Sequence, residues 1–232
     1  MKHFKVNLFV CVVAAVLLAL LLSPAVAQAA AWSVVQSPNA TPGNNELHAV
    51  ASVSANDVWA VGTSENTLGN DQTLILHWDG TAWSIVASPS PDGAFNDLFG
   101  VAAVSTSDVW AVGDSGSGTL IEQWNGTSWS VVSSPSPSTL ANLFFAVAIV
   151  SANDIWAVGE SENATSGIAQ TLIEQWNGSS WSVVSSPNPG SGSSPGDTLR
   201  GAAADPSSGQ AWAVGQFTAA SGATQTLTES NP

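Results

Sequence analysis

The chain has 232 residues, and 17 acidic against 3 basic side chains give it a formal charge of −14. A surface of that sign repels nucleic acid and anionic lipid, both of which are held through basic patches. With 44% apolar and 9% charged residues, the composition also excludes a disordered polymer, which needs the opposite balance, and it suits short strands joined by tight turns.

Residues 1–29 read as a secretory signal peptide: basic Lys2 and Lys5, an apolar run from Val6 to Leu22, then small residues offering cleavage after Ala27 or Ala29. The expectation is therefore a secreted protein, extracellular or at the cell surface. Cys11 is the single cysteine and falls in this segment; Leu8, Phe9 and Val10 before it do not make a lipid-attachment box. Its loss with the signal would exclude disulfides, thiolate catalysis and cysteine-based metal sites. Arg200 would then be the one strong base, and residues 30–232 would form a single all-β domain.

The tryptophans order that domain. Trp59, Trp110, Trp156 and Trp212 form one series, Trp78, Trp124 and Trp176 a second, and Trp32, Trp83, Trp129 and Trp181 a third. A recurrence of about 40–50 residues belongs to propeller-type arrays. Each unit reads as four short strands. The first is "LHAVASV" from Leu47, with counterparts from Leu98, Phe144 and Leu199, apolar on both faces as a buried strand requires. "DVWAVG" is the second and "TLILHW" or "TLIEQW" the third. The fourth, "WSIV" or "WSVV", ends at "SPSP" or "SPNP", where proline stops pairing. This predicts blades over 47–88, 98–134 and 143–186 and a partial blade over 199–229. "DG" at 79–80 and "NG" at 125–126 and 177–178 are hairpin dipeptides that supply positive φ.

"SANDVWAVG" at 54–62 returns as "STSDVWAVG" at 105–113 and "SANDIWAVG" at 151–159. A catalytic group is needed once, whereas this trio recurs in three units, so its Ser and Asp are expected to hold the turn between first and second strands. The paired tryptophans, such as Trp78 with Trp83, are expected to stack as packing rather than as a sugar platform.

Residues 32–36, "WSVVQ", form a fourth strand without the preceding three, while 199–229 supply three strands without a fourth. The expectation is a four-bladed ring with the N-terminal strand closing the last blade, which hides sheet edges. The alternative is an open half-ring that pairs with a second copy.

With the units aligned, "VSANDVWAVG…QTLILHWDGTAWSIVASPSP" resembles the repeats of bacterial secreted β-propellers of the kelch and galactose-oxidase superfamily, in a non-enzymatic branch. The resemblance spans Trp32 to about Glu229 and implies a propeller fold. It does not imply that superfamily's copper chemistry, because the chain has no tyrosine. The kelch double glycine is also a single glycine here, Gly62, Gly113, Gly159 or Gly215. One arginine is too few for a sialidase site.

No catalytic motif, cofactor or metal site stands out. His48 and His77 lie in different strands, and His77 corresponds to Gln123 and Gln175, which marks an exposed polar position. The loops between blades and between second and third strands vary and hold Glu65, Asp71, Asp114, Glu160 and Glu162; variable loops on a rigid scaffold are where binding lives. The second residue of each innermost strand is His48, Phe99, Phe145 and Arg200 in turn, expected to form a cationic and aromatic ring at the channel mouth and to be the ligand site. The competing arrangement pairs Arg200 with Asp197 or Asp205. Three functions follow: a non-enzymatic binding module for a glycan, peptide or surface partner; a secreted carboxylate-based hydrolase or lyase; and a structural or truncated repeat module without a ligand. Sequons at Asn39, Asn125, Asn163 and Asn177 matter only in a host that glycosylates exported proteins.

Overall fold

A computed structural model describes residues 31–116, 118–190 and 196–231; the signal segment and Cys11 lie outside them. The chain divides into two units, 1–35 and 36–232. Of the first, only Ala31–Val35 is described, and it carries no strand.

The second unit is all-β. Its first sheet is β1 (Asn45–Ser54), β2 (Asp57–Glu65), β3 (Asp71–Trp78) and β4 (Trp83–Val86). β5 (Asn96–Ser105), β6 (Asp108–Ser115), β7 (Gly118–Trp124) and β8 (Trp129–Val131) form the second. The third holds β9 (Asn142–Ser151), β10 (Asp154–Glu162), β11 (Ala169–Trp176) and β12 (Trp181–Val184), and the last β13 (Thr198–Asp205), β14 (Gln210–Thr218) and β15 (Thr224–Ser230). Within every sheet consecutive strands pair antiparallel, in the order of a propeller blade. No helix among the described residues is long and apolar enough to cross a membrane.

Two repeated devices shape each blade. Gly80, Gly126 and Gly178 take φ near +93° in the hairpin before the fourth strand, as the "DG" and "NG" dipeptides predict. Gly62, Gly113 and Gly159 face a different constraint. A Cβ there would fall within 2 Å of the carbonyl oxygens of Glu46, Asp97 and Leu143, so the irregular first strand lies too close for any side chain.

The sheets stack face to face, with β1 against β5, β5 against β9, and β9 against β13. Trp59, Val61 and Ile75 of the first sheet pack with Leu98, Val101, Leu120 and Trp129 of the second. Trp110, Val112 and Ile121 repeat this against Phe144, Val147, Leu172 and Trp181 of the third. Trp59 lies 4.9 Å from the ring of Trp124 and 5.3 Å from that of Trp129, while Trp110 lies 5.0 Å from Trp176 and 5.6 Å from Trp181. Trp78 and Trp83 of the hairpin pack with centroids 5.8 Å apart and planes tilted by 50° rather than stacked. A smaller cluster of Ala60, Leu74 and Leu76 with Trp83 lies on the other side of the first sheet.

Three expectations are corrected. In the turns, only the serines serve the backbone: the N–H groups of Asn56, Ser107 and Asn153 donate to Ser54, Ser105 and Ser151. The aspartates instead tie second strand to third. Asp57 accepts from His77, Asp108 from Gln123 and Asp154 from Gln175, all at 2.9 Å. His77 is consequently a part-buried strand linker that also stacks on Trp59, not an exposed polar position. Finally, residues 32–36 carry no strand and the last sheet has three strands among the described residues, so the expected fourth strand at 32–36 is not present. The physical reason is that Pro38 and the bend at 40–43 follow the short run at once, leaving it no hairpin partner of its own.

The first two junctions each bury a carboxyl as well. Glu122 lies opposite Ala111 on the side facing the first sheet, and Glu174 opposite Ala157 on the side facing the second. Both are fully buried with no hydrogen-bond partner among the described residues, and desolvation pushes each up to about 8.

Two outcomes are expected. Trp59→Ala should cost about 3–5 kcal/mol in urea unfolding, the range for emptying a buried aromatic site, whereas Trp212→Ala should cost about 1 kcal/mol or less because its ring is half exposed. Folded Glu122 and Glu174 stay protonated while the unfolded chain releases those protons above its ordinary value of 4.5. Stability should thus be fullest below pH 4.5, fall as pH rises to about 8, and then level off. Glu122→Gln with Glu174→Gln should flatten that slope in unfolding curves taken from pH 5 to 8.

Candidate functional site

The innermost strands β1, β5, β9 and β13 stand side by side, so the second residue of each "LHAVASV"-type stretch meets its counterpart. His48 stacks on Phe99 with centroids 5.1 Å apart and an interplanar angle of 26°. Phe99 lies 5.6 Å from Phe145, and the Arg200 guanidinium sits 4.5 Å over the Phe145 ring, a cation–π distance. All four expected residues therefore join in one row. Arg200 makes no ion pair with Asp197 or Asp205 among the described residues. Asp197 instead accepts from the Gly190 N–H and Asp205 from Ser207 and Ser208.

The loops expected to share one face do so. The Asp71 N–H donates to Ala94, that of Gly116 to Phe95, and that of Glu162 to Ala141, tying each second-to-third-strand loop to an inter-blade loop. The latch that holds these loops is legible only in retrospect. Asn45, Asn96 and Asn142 recur three residues before His48, Phe99 and Phe145. Their side chains accept from the N–H groups of Ala40, Asp92 and Ser138 and donate back to Thr41, Asp92 and Ser138. These asparagines were not singled out from the sequence. Their fixed offset from the strand was the available signal.

Where the His48 end of the row meets this loop face, a cavity of about 290 Å³ opens. Glu46, Glu65, Asp71 and Asp97 give it four carboxylates, and His48 and Phe99 give it a ring edge. Thr63 Oγ1 donates to Asp97, which orients that carboxylate. Asp114 lies opposite Asp97 in the β5–β6 register and does not line the cavity. Desolvation, then the charges of Asp97 and Asp71, push it up to about 7. Asp71 is raised as well, by desolvation and by the charges of Asp97, Glu65 and Glu46. The like charges gain from any cation placed among them. Among the described residues no three His, Cys, Asp or Glu groups are placed to hold a metal ion.

No family model matches the chain, and no curated protein matches it either. Among solved structures, one described as "YCF48 bound to D1 peptide" is similar at 13% identity and a TM-score of 0.40, over 81% of this chain and 68% of that one. The propeller architecture described above rests on the blade topology of this chain itself.

Asp114 should titrate near pH 7 in carboxyl NMR. Asp97→Asn, by removing the adjacent charge, should lower that midpoint toward the ordinary aspartate value of 3.8, while Asp205→Asn, in a distant turn, should leave it in place.

Proposed function

We propose that this protein is a non-enzymatic interaction module that binds an extended peptide bearing lysine or arginine. The cationic side chain would enter the carboxylate-lined cavity, and flanking residues would lie along the His48–Phe99–Phe145–Arg200 row. The observation that carries this reading is the junction of the two features: a cavity walled by Glu46, Glu65, Asp71 and Asp97 opens beside His48 and Phe99, where the stacked row begins. Carboxylates supply charge-assisted hydrogen bonds to an ammonium or guanidinium, and half-buried rings supply apolar area with little side-chain entropy to lose. The basic, apolar and small-residue order of residues 1–29 supports a partner met outside the producing cell.

A second reading, a carboxylate-based hydrolase, draws on Asp114, whose proton is held to about pH 7 beside Asp97. That pairing has the form of a general acid and base. Binding is the better-supported role because Asp114 lies off the cavity wall, where its proton would be out of line with a seated substrate.

The test is fluorescence anisotropy with labelled extended peptides of equal length, Lys/Arg-rich against Asp/Glu-rich. The basic peptide should bind and the acidic one should not. Asp71→Asn with Asp97→Asn should weaken binding at least tenfold, Phe99→Ala should weaken it less, and affinity should fall with salt. Equal binding of both peptides would count against the proposal, as would turnover of a glycan abolished by Asp114→Asn.

A further inference from the structure

Arg200 is the one lysine or arginine among the described residues, in a chain that carries 17 acidic side chains. It is exposed, yet it forms no ion pair and no hydrogen bond among those residues. Its contact is with the Phe145 ring, whose centroid lies 4.5 Å from the guanidinium carbon. A lone base is attracted to whichever carboxylate it can reach, so its isolation needs a cause.

The cause is the strand pair beside it. In each sheet the residue before Leu47, Leu98, Phe144 or Leu199 faces one partner on the second strand. The four pairs are Glu46 with Thr63, Asp97 with Asp114, Leu143 with Glu160, and Thr198 with Gln216. Only the last pair, two residues from Arg200, holds no carboxylate. Asp197 is near in sequence, but it is 3% exposed and accepts from the Gly190 N–H at 2.9 Å.

The row of inner-strand side chains therefore differs in charge along its length. At His48 it opens on the cavity of Glu46, Glu65, Asp71 and Asp97. Three steps of 5.1, 5.6 and 4.5 Å then lead over Phe99 and Phe145 to a bare guanidinium. Both extremes are held in place: His48 Nδ1 lies 2.9 Å from the Leu98 carbonyl oxygen, and Arg200 rests on its ring. A ring contact uses none of the five N–H donors of a guanidinium, which leaves the planar fork open to a carboxylate.

Resting on the peptide-binding reading above, we propose that Arg200 is the second anchor of that same site and takes a carboxylate of the ligand. The ligand is then an extended peptide with its basic side chain in the cavity and a carboxylate about four or five residues away, the number that spans the row at about 3.3 Å each. Neutral residues between them lie over Phe99 and Phe145. A peptide reversed on the row would set its carboxylate against Glu46, Glu65, Asp71 and Asp97 and its basic group against Arg200, so like charges at both anchors select one direction. The carboxylate can come from an aspartate or glutamate side chain or from a free C-terminus.

The experiment is fluorescence anisotropy on the purified chain with labelled, amidated peptides of serine and threonine that carry one lysine and one glutamate. The interval between the two is made shorter than, equal to and longer than the row, in both orders. Matched peptides replace the glutamate by glutamine, or by a free C-terminus at the same interval. Affinity should peak at about four or five residues, with a gain of about fivefold over the glutamine peptide, the scale of an exposed charge pair. Arg200→Gln should remove that gain and leave the glutamine peptide's affinity unchanged, while Arg200→Lys, which keeps the charge without the fork, should retain part of it. A gain with glutamate or with the free C-terminus supports the proposal and identifies the source. No gain at any interval, an equal gain at every interval, or a gain that survives Arg200→Gln would overturn it. In those cases lysine-dependent binding that Asp71→Asn with Asp97→Asn weakens would leave the peptide-binding reading standing, whereas binding of none of the peptides would overturn both.

Discussion

The tryptophan of the second strand in the first two blades, Trp59 or Trp110, seated against the hairpin tryptophans of the next blade, is the contact on which the rest of the structure depends. A four-stranded antiparallel sheet has two faces and a small core of its own, so a single blade cannot bury enough apolar surface to be stable. Trp59 and Trp110 solve this by reaching across to Trp124 with Trp129 and to Trp176 with Trp181. Large rings fill the wedge between twisted sheets and fix their spacing. The small residues around them, Ala111 and Ala157, make room for that reach.

Because the stack is set by these rings, the inner strands are brought close enough for one position per blade to form a continuous row. His48, Phe99, Phe145 and Arg200 are distant in sequence and share no motif, yet equal placement in equal units makes them neighbours. The asparagine latches act on the adjoining loops. They turn variable segments into a rigid rim that holds Glu65, Asp71 and Asp97 toward one cavity despite their mutual repulsion. That repulsion is the electrostatic basis of the cationic ligand class proposed above.

The repeat also explains a cost. Glu122 and Glu174 occupy the same place in successive junctions without a polar partner among the described residues, whereas the first blade has Leu76 there. A buried carboxyl kept protonated is tolerated in a stack whose cohesion comes from aromatic packing. The first sheet, which begins the stack, is the one that dispenses with it.

The sequence by itself determined the blade. Short apolar runs, "DG" and "NG" turns and three phased tryptophan series specified antiparallel strands in repeated units, because these are local or near-neighbour effects with a fixed period. The same phasing named the four residues of the inner row and the loops that share a face. It misjudged Asp57, Asp108 and Asp154, since an aspartate in a turn reads the same whether it bonds the backbone or reaches His77, Gln123 or Gln175 on a strand about twenty residues away. Only the tertiary structure decided that residues 32–36 carry no strand although they repeat the "WSVV" of the fourth strands. Strand pairing between segments far apart in sequence depends on how side chains from different blades fit together and is written in no single segment. For the same reason only the structure brought Glu46, Glu65, Asp71 and Asp97 to one cavity, and only the structure left Trp156 beside a cavity of about 290 Å³.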